Sequence, residues 1–234
     1  MKTMLFTKIV RTTIAVVFIL GTILGPVPYR VSAQETLPWR DEFDGALADG
    51  WYWINGNPAK WNLTENLGAL SIYTSPYATG GENLLLRPVD QEDFTIETKL
   101  SFTPDTNFQF AGLVLWQDEG NFLQLGRAFC YYEESPCVGN GIYFDKILGG
   151  GIVDGNFATV LEAPSGTYLR LVHRGNYAFA YYSTDGLAWT FMGGHAVPEG
   201  FTVNASGLTS SQDFNTPDLD IPADFDYFEL SEYK

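Results

Sequence analysis

The sequence is poor in cysteine, histidine and basic residues, and each shortage excludes a class of protein. Two cysteines and two histidines among 234 residues do not form the closely spaced Cys/His cluster that binds structural zinc. The first 33 residues hold four of the 13 Lys and Arg and no Asp or Glu, which leaves 9 basic against 28 acidic residues, a net charge of −19. Such a chain repels phosphate backbones, so nucleic acid is not an expected partner.

Amphipathic helices are also missing from the pattern. No stretch of about ten residues repeats its apolar residues at helical spacing. Short apolar runs bounded by Gly, Pro, Asn and Asp predict roughly a dozen β-strands instead. In residues 94–102 the alternation is strict, with Phe94, Ile96 and Leu100 on one face and Glu97 and Lys99 on the other. The predicted fold is all-β, and the lack of a fixed repeat argues against a propeller.

Residues 166–190 give the clearest local prediction, an antiparallel meander of three strands. The strands are expected over 168–173, 177–183 and 187–192. Arg174-Gly175-Asn176 and Thr184-Asp185-Gly186 are the turns between them, since Gly with Asn or Asp between apolar alternations is a strong hairpin signal. So few residues leave no room for a helix.

Residues 1–33 are predicted to be a secretory signal peptide. Lys2, Lys8 and Arg11 precede an apolar run from Thr12 to Leu24, and Val31-Ser32-Ala33 offers small residues for cleavage. The run is shorter than the roughly 20 residues that span a bilayer, although an uncleaved N-terminal anchor is the alternative. We therefore expect a secreted protein with one domain over residues 34–234 and no membrane span in the mature chain.

Cys130 and Cys137 are predicted to form one disulfide that closes a short loop, because export places the chain in an oxidising compartment. A metal-binding pair is the weaker alternative, since no histidine or second cysteine pair lies nearby in the sequence.

Several motifs taken in order resemble a known family. They are Trp39-Arg40-Asp41-Glu42-Phe43-Asp44-Gly45, residues 111–122 (AGLVLWQDEGNF), Tyr168-Leu169-Arg170-Leu171, residues 182–190 (YSTDGLAWT) and Ala223-Asp224-Phe225-Asp226-Tyr227-Phe228. Together they resemble a concanavalin A-like jelly roll, most closely the β-sandwich domain appended to many family 43 glycoside hydrolases. The resemblance implies two stacked antiparallel sheets, one of them concave. It also implies a role in contacting carbohydrate or in shaping a neighbouring active site.

The same resemblance implies a structural calcium ion that links the two ends of the fold. Glu42 and Gly45 lie near the start of the domain and Asp226 near its end. The first stretch would supply backbone carbonyls and the last a carboxylate, a mixture of oxygen ligands that calcium accepts. The alternative is that these are ordinary turn and edge residues.

A carbohydrate-binding face is the second expectation, because sugars stack on aromatic rings and hydrogen-bond to planar polar side chains. The predicted residues are Trp53, Trp61, Trp116, Gln124, Arg127, Tyr143 and Arg170. Arg170 is opposite in phase to Leu169 and Leu171, so it leaves the face that those leucines bury. The alternative for any one aromatic residue is a place in the core.

No catalytic residues are predicted. Related family 16 glycosidases place paired carboxylates on one strand as Glu-x-Asp-x-x-Glu, and the nearest local cluster, Glu92 to Glu97, lacks that spacing. The expected function is therefore a secreted, monomeric, non-catalytic carbohydrate-binding module whose partner is a polysaccharide or glycan. The alternatives are a glycoside hydrolase or lyase on the same scaffold, or a structural or adhesive surface domain.

Overall fold

The structure is a computed structural model, and it describes residues 37–75, 83–132, 137–153, 155, 157–161, 166–212 and 220–233. These residues form sixteen β-strands, β1 to β16 in chain order. None of the described residues belongs to a helix that could span a lipid bilayer. All sixteen strands lie in a compact unit that runs from Thr36 to Lys234. The predicted signal peptide lies outside the described residues.

The strands pair into two antiparallel sheets of eight, which confirms the predicted jelly-roll β-sandwich. Sheet 1 has the order β14-β13-β12-β6-β16-β4-β3, with β1 also paired to β16. Its strands are β1 (Trp39–Asp41), β3 (Trp61–Asn62), β4 (Leu70–Tyr73), β6 (Phe94–Ser101), β12 (Thr167–Arg174), β13 (Tyr177–Ser183), β14 (Thr190–Ala196) and β16 (Pro222–Glu232).

Sheet 2 has the order β10-β9-β8-β7-β15-β5-β2, with β11 also paired to β9. Its strands are β2 (Tyr52–Ile54), β5 (Leu84–Pro88), β7 (Phe110–Asp118), β8 (Asn121–Cys130), β9 (Gly139–Leu148), β10 (Gly151–Ile152), β11 (Phe157–Val160) and β15 (Ala205–Ser211). The predicted disulfide between Cys130 and Cys137 is present and joins the end of β8 to the segment before β9.

The main core lies between the two sheets and follows the period of two that the sequence shows. Phe94, Ile96 and Leu171 point inward from sheet 1, and Leu113 and Phe144 point inward from sheet 2. All five side chains are completely buried. Alternation therefore assigns one face of each strand to the core and leaves the other face outside the sandwich.

The two ends of the domain are paired, as the resemblance implied. Strand β1 aligns with β16, so that Asp41 lies opposite Phe228. The buried carboxylate of Asp41 accepts hydrogen bonds from the backbone of Phe43 at 2.9 Å and of Ala48 at 2.9 Å, and from Trp51 Nε1 at 2.8 Å. Asp41 thus orders the turn that follows β1, because it satisfies donors that the turn leaves unpaired.

The predicted meander is correct for its first two strands and wrong for the start of its third. Strand β14 begins at Thr190 rather than Leu187. Asp185 Oδ1 accepts hydrogen bonds from the backbone of Leu187 and Ala188, both at 2.8 Å, and from Ser183 Oγ at 2.9 Å. These bonds keep the chain in a loop beyond the predicted turn, because the carboxylate competes with the strand ladder for the backbone amides.

Several of the other strands are short. Strand β3 has only two residues, because Asn62 Oδ1 caps the amides of Thr64 and Glu65. Strands β10 and β11 have two and four residues, and they pair with different parts of β9.

Sheet 2 contains glycines at points where its strands approach closely. An added Cβ at Gly112 would lie 2.1 Å from the carbonyl oxygen of Leu125, and one at Gly126 would lie 2.2 Å from that of Ala111. Gly112 and Gly126 are directly opposite each other on β7 and β8. Only glycine fits where neighbouring backbones come this close.

Candidate functional site

The outer face of sheet 1 presents aromatic side chains where strand alternation would usually place polar ones. On β13, Ala178 and Ala180 point into the core. Tyr177, Phe179 and Tyr181 occupy the alternate positions and therefore point outward. The small residues are inside and the large rings are outside, so these rings are not needed to fill the core.

Phe191 on the neighbouring strand β14 extends this row. The ring centroids are 5.9 Å apart for Tyr177 and Phe179, 6.4 Å for Phe179 and Phe191, and 5.3 Å for Phe191 and Tyr181. Tyr177 is 51% exposed and Phe191 57% exposed. We call these four residues the aromatic strip. A continuous row of accessible rings is a typical contact surface.

Arg170 on β12 lies directly opposite Tyr181 in the sheet. Its Nε donates a hydrogen bond to Glu97 Oε1 at 2.9 Å. Its guanidinium carbon lies 3.7 Å from the ring centroid of Trp189 in the Asp185 loop. The ion pair and the ring fix the guanidinium plane in one orientation, which a flexible surface arginine lacks.

A cleft of about 250 Å³ opens on this face next to the aromatic strip. Its lining residues come from four neighbouring strands and the chain end, and they are Thr95, Glu97, Arg170, Val172, Tyr181, Ser231 and Tyr233. Val172, Thr95 and Ser231 lie side by side across β12, β6 and β16. We call this the Arg170 cleft. It combines an apolar floor, hydroxyl groups, two tyrosines and a fixed guanidinium group.

A second arginine stands at the end of β12, beyond Val172. Arg174 donates a hydrogen bond to the Tyr233 hydroxyl at 2.9 Å, and its guanidinium carbon lies 4.6 Å from the centroid of that ring. Tyr233 also lines the Arg170 cleft, so this contact places Arg174 beside the cleft.

Two carboxylates, Glu97 and Glu229, face each other across β6 and β16 on the same outer face. Arg40 Nη1 donates to Glu229 at 3.2 Å, while Arg170 holds Glu97. The guanidinium carbon of Arg40 also lies 3.6 Å from the ring centroid of Tyr227. Burial, together with the charge of Glu97, raises the pKa of Tyr227 to about 12. The row is a charge-balanced ladder in which each carboxylate contacts an arginine.

Three of the predicted sugar-binding residues lie on the outer face of the other sheet, at different positions along its strands. Trp116, Gln124 and Tyr143 are on β7, β8 and β9 of sheet 2. Trp116 stacks on Phe122 at 5.4 Å within a buried apolar cluster. The Tyr143 hydroxyl accepts from the Val138 amide and donates to the carbonyl of Gly139, and burial raises its pKa. Gln124 Nε2 donates to Asp145 at 3.3 Å.

Trp53 and Trp61 meet at the edge of the sandwich, where they stack with centroids 4.9 Å apart. Both rings pack partly against the main core. Trp61 also lines an open groove of about 410 Å³ together with Tyr73. One face of each tryptophan therefore has a structural role.

Arg127 lies inside the sandwich and is 2% exposed. Its Nη2 donates to Asn140 Oδ1, and burial lowers its pKa. Of the seven predicted residues, Arg170 alone lies on the outer face of sheet 1.

The carboxylates of two predicted calcium ligands, Glu42 and Asp226, contact cationic side chains. Glu42 Oε1 accepts from Arg40 Nε at 2.6 Å, and Asp226 accepts from Lys99 Nζ. Gly45 is in a tight turn, with its amide donating to the carbonyl of Phe43. Within the described ranges no three His, Cys, Asp or Glu side chains gather as a metal site. The predicted site depends on backbone carbonyls of the first stretch as well, so calcium stays a prediction that a melting scan with and without chelator would test.

The aromatic strip and Trp189 were missed by sequence reasoning. The signal was the alternation over 177–182, which places alanine between aromatic residues. Tyr181 and Tyr182 are adjacent and lie on opposite sides of the strand, so the sequence did not show which side faces outward. The third strand was predicted to begin too early, so Phe191 was not aligned with the rings of the second strand.

A two-layer antiparallel sandwich with its chain ends paired is a concanavalin A-like jelly roll. The chain belongs to the family of β-xylosidase C-terminal concanavalin A-like domains, whose model matches residues 40–231. No curated protein sequence matches the chain.

Solved structures agree on the fold. The chain is similar to the GH43 protein BlXynB from Bacillus licheniformis, with 22% identity, a TM-score of 0.70, and coverage of 83% of this chain and 39% of that one. It is similar to xylan beta-1,4-xylosidase from Bacillus halodurans C-125, with 23% identity, a TM-score of 0.70, and coverage of 85% and 40%. A functionally unknown protein from Saccharomyces cerevisiae has 14% identity, a TM-score of 0.57, and coverage of 79% and 97%. The chain thus spans about two fifths of these GH43 proteins and nearly all of the yeast protein.

Proposed function

We propose that this protein is a secreted, non-catalytic carbohydrate-binding module that holds a glycan on the outer face of sheet 1. The observation that carries the proposal is the aromatic strip beside the Arg170 cleft. Sugar rings have apolar C–H faces that stack on aromatic rings, and hydroxyl edges that hydrogen-bond to planar polar groups. This face offers both kinds of group within one accessible surface.

The geometry suits a chain of sugars better than a single one. Tyr177, Phe179 and Tyr181 follow one another at alternate positions on β13, about 7 Å apart along the strand. Successive sugar units have ring faces to contact along this row. Thr95 and Ser231 line the adjoining cleft, and their hydroxyls would hydrogen-bond to the hydroxyl edge of a bound sugar.

The hydrogen bonds that the carboxylates on this face make to arginines favour a binding function over hydrolysis. Glycosidases need one carboxyl group as proton donor and a second as nucleophile or base. Glu97 and Glu229 are the nearest pair, and each is hydrogen-bonded to an arginine. That arrangement supports a structural role for both carboxylates. The alternative function as a hydrolase then has no assigned catalytic residues.

The relatives suggest which glycan to test first. The Bacillus halodurans protein is called a xylan beta-1,4-xylosidase, and the chain matches the C-terminal domain family of such enzymes. Xylan is therefore the first candidate ligand. We also propose that residues 1–33 direct export of the protein and that the protein is a monomer.

The test is affinity electrophoresis and calorimetry of the recombinant chain with soluble xylan, β-glucan and mannan. We expect retention by at least one polysaccharide, and a loss of about tenfold or more in affinity for the double variant Tyr181→Ala/Phe191→Ala, since each stacked ring contributes about 1 kcal/mol. Tyr52→Ala is the matched control, because Tyr52 is an exposed tyrosine on sheet 2.

Absence of binding to all three polysaccharides would contradict the proposal, as would equal losses in the strip variant and the control. Release of reducing sugar from any of them by the wild-type chain would favour the hydrolase alternative.

A further inference from the structure

We infer that the outer face of sheet 1 selects glycans that carry carboxylate groups, such as uronic-acid-substituted polysaccharides. This inference rests on the proposed function and adds the chemical class of the ligand. Its basis is the placement of basic residues in a chain that has very few of them.

The nine Lys and Arg after residue 33 are distributed unevenly. Three of them, Arg87, Arg127 and Lys146, are buried. Four are on the outer face of sheet 1 or beside it, and they are Arg40, Lys99, Arg170 and Arg174. Among the described residues, four of the five basic side chains that are not buried are thus on or beside the face that bears the aromatic strip.

Arg170 is prepared to bind a further anion. Glu97 occupies its Nε, and the ring of Trp189 covers one face of the guanidinium plane. The two terminal nitrogens make no hydrogen bond to any described residue. An arginine fork held in a fixed plane matches the two oxygens of a carboxylate, which it binds with two parallel hydrogen bonds.

Arg174 supplies a second positive charge on the same side of β12. It lies four positions after Arg170, which is about 13 Å along a strand. Among the described residues its side chain contacts the Tyr233 ring and hydroxyl and no carboxylate. Its charge is therefore not neutralised by an ion pair, unlike those of Arg40, Lys99 and Arg170.

The cleft between these two arginines has a character that suits a substituted sugar chain. Val172 provides an apolar floor between them, and Tyr181 and Tyr233 stand at its sides. A neutral chain can stack on the aromatic strip while an acidic branch reaches the guanidinium groups. The surrounding acidic surface repels free polyanions, so the preference depends on these local contacts.

The test compares glucuronic-acid-substituted xylan with the same polysaccharide after chemical reduction of its carboxyl groups. We expect the wild-type chain to bind the carboxylated form about tenfold more tightly, since a charge-assisted hydrogen-bond pair has that effect. Arg170→Gln and Arg174→Gln should each reduce the ratio several-fold. Arg174→Lys should retain more of the preference than Arg174→Gln, because it keeps the charge.

Lys60→Gln is the control, because Lys60 pairs with Asp220 beside β3 at the opposite edge of sheet 1. Melting curves of each variant confirm that it is folded. Equal affinity of the wild-type chain for both polysaccharides would overturn the inference and leave the proposed function intact. A ratio that Lys60→Gln lowers as much as Arg174→Gln would also overturn it. No binding to either form of xylan would overturn the inference, and it would overturn the proposed function as well if β-glucan and mannan also fail to bind.

Discussion

The outer faces of the two sheets differ, although the same alternation fills the core from both. Sheet 1 presents exposed rings, such as Phe191, and a ladder of paired charges. Sheet 2 presents Leu86, Val114 and Trp116, which form a buried apolar cluster on the side away from the main core. The comparison indicates that one outer face stabilises the domain and the other is available to a ligand.

Buried cations complete this picture. Lys146 on β9 donates to the carbonyl of Ala196 on β14 at 3.2 Å, so it connects the two sheets. Arg87 donates to the carbonyl of Asp49 at 2.8 Å and lies over the ring of Trp39. Such groups need hydrogen-bond partners to offset their desolvation. They belong to the interior, whereas Arg40, Lys99, Arg170 and Arg174 lie on or beside the outer face of sheet 1.

The largest expected difference between the faces is in the cost of removing a ring. Trp116→Ala should lower the free energy of unfolding by about 3–5 kcal/mol, because it leaves a cavity in a packed cluster. Phe191→Ala should change it by only about 0.5 kcal/mol, because most of that ring is in water. Urea denaturation of both variants measures the difference. Similar costs for the two would remove the distinction that we draw between the faces.

A smaller contrast is expected from two glycine substitutions. In Gly126→Ala the new Cβ meets the carbonyl oxygen of Ala111 at 2.2 Å, which the backbone can relieve only by moving. We expect a loss of about 1–3 kcal/mol. In Gly194→Ala on β14 the nearest atom is Phe179 Cδ1 at 2.8 Å, and this ring on the outer face can turn aside.

Thermal melting compares the two, and Gly194→Ala should remain close to the wild-type midpoint. If Gly194→Ala is as destabilising as Gly126→Ala, the outer face of sheet 1 is less adaptable than we infer.

The smallest effect is a pH dependence on sheet 1. The pKa of Tyr227 is raised from 10.0 to about 12 in the folded protein, so the folded state keeps this proton more tightly than the unfolded state. Its contribution is complete below pH 10 and is lost as the pH rises from 10 through about 12. Tyr227→Phe cannot lose a proton, so its free energy of unfolding should fall less steeply in that range. Parallel slopes for the two proteins in urea denaturation series would contradict the raised pKa.

Much of the fold was predictable because strand alternation and turn residues are local signals. The strand over residues 94–101, the hairpin of β12 and β13, and the disulfide are all present. The start of β14 was not predictable from strand propensity, because one side chain, Asp185, holds Leu187 and Ala188 out of the sheet. The outward phase of Arg170 was predicted correctly because its neighbours are leucines that must be buried.

The candidate site was predictable only in part. Trp116 and Tyr143 have the residue types of a sugar site, yet both are buried in satellite clusters on sheet 2. The residues of the aromatic strip have the same types and are accessible. Residue type alone cannot separate these cases, since burial depends on which strands become neighbours.

The sequence by itself determined that the chain is an acidic all-β sandwich, because period-two alternation and turn residues act over a few positions. Only the tertiary structure decided that Tyr181, Arg170, Glu97 and Glu229 form one row across four strands. Those residues are up to about 130 positions apart in the chain, and only the pairing of the strands that bear them puts them in contact.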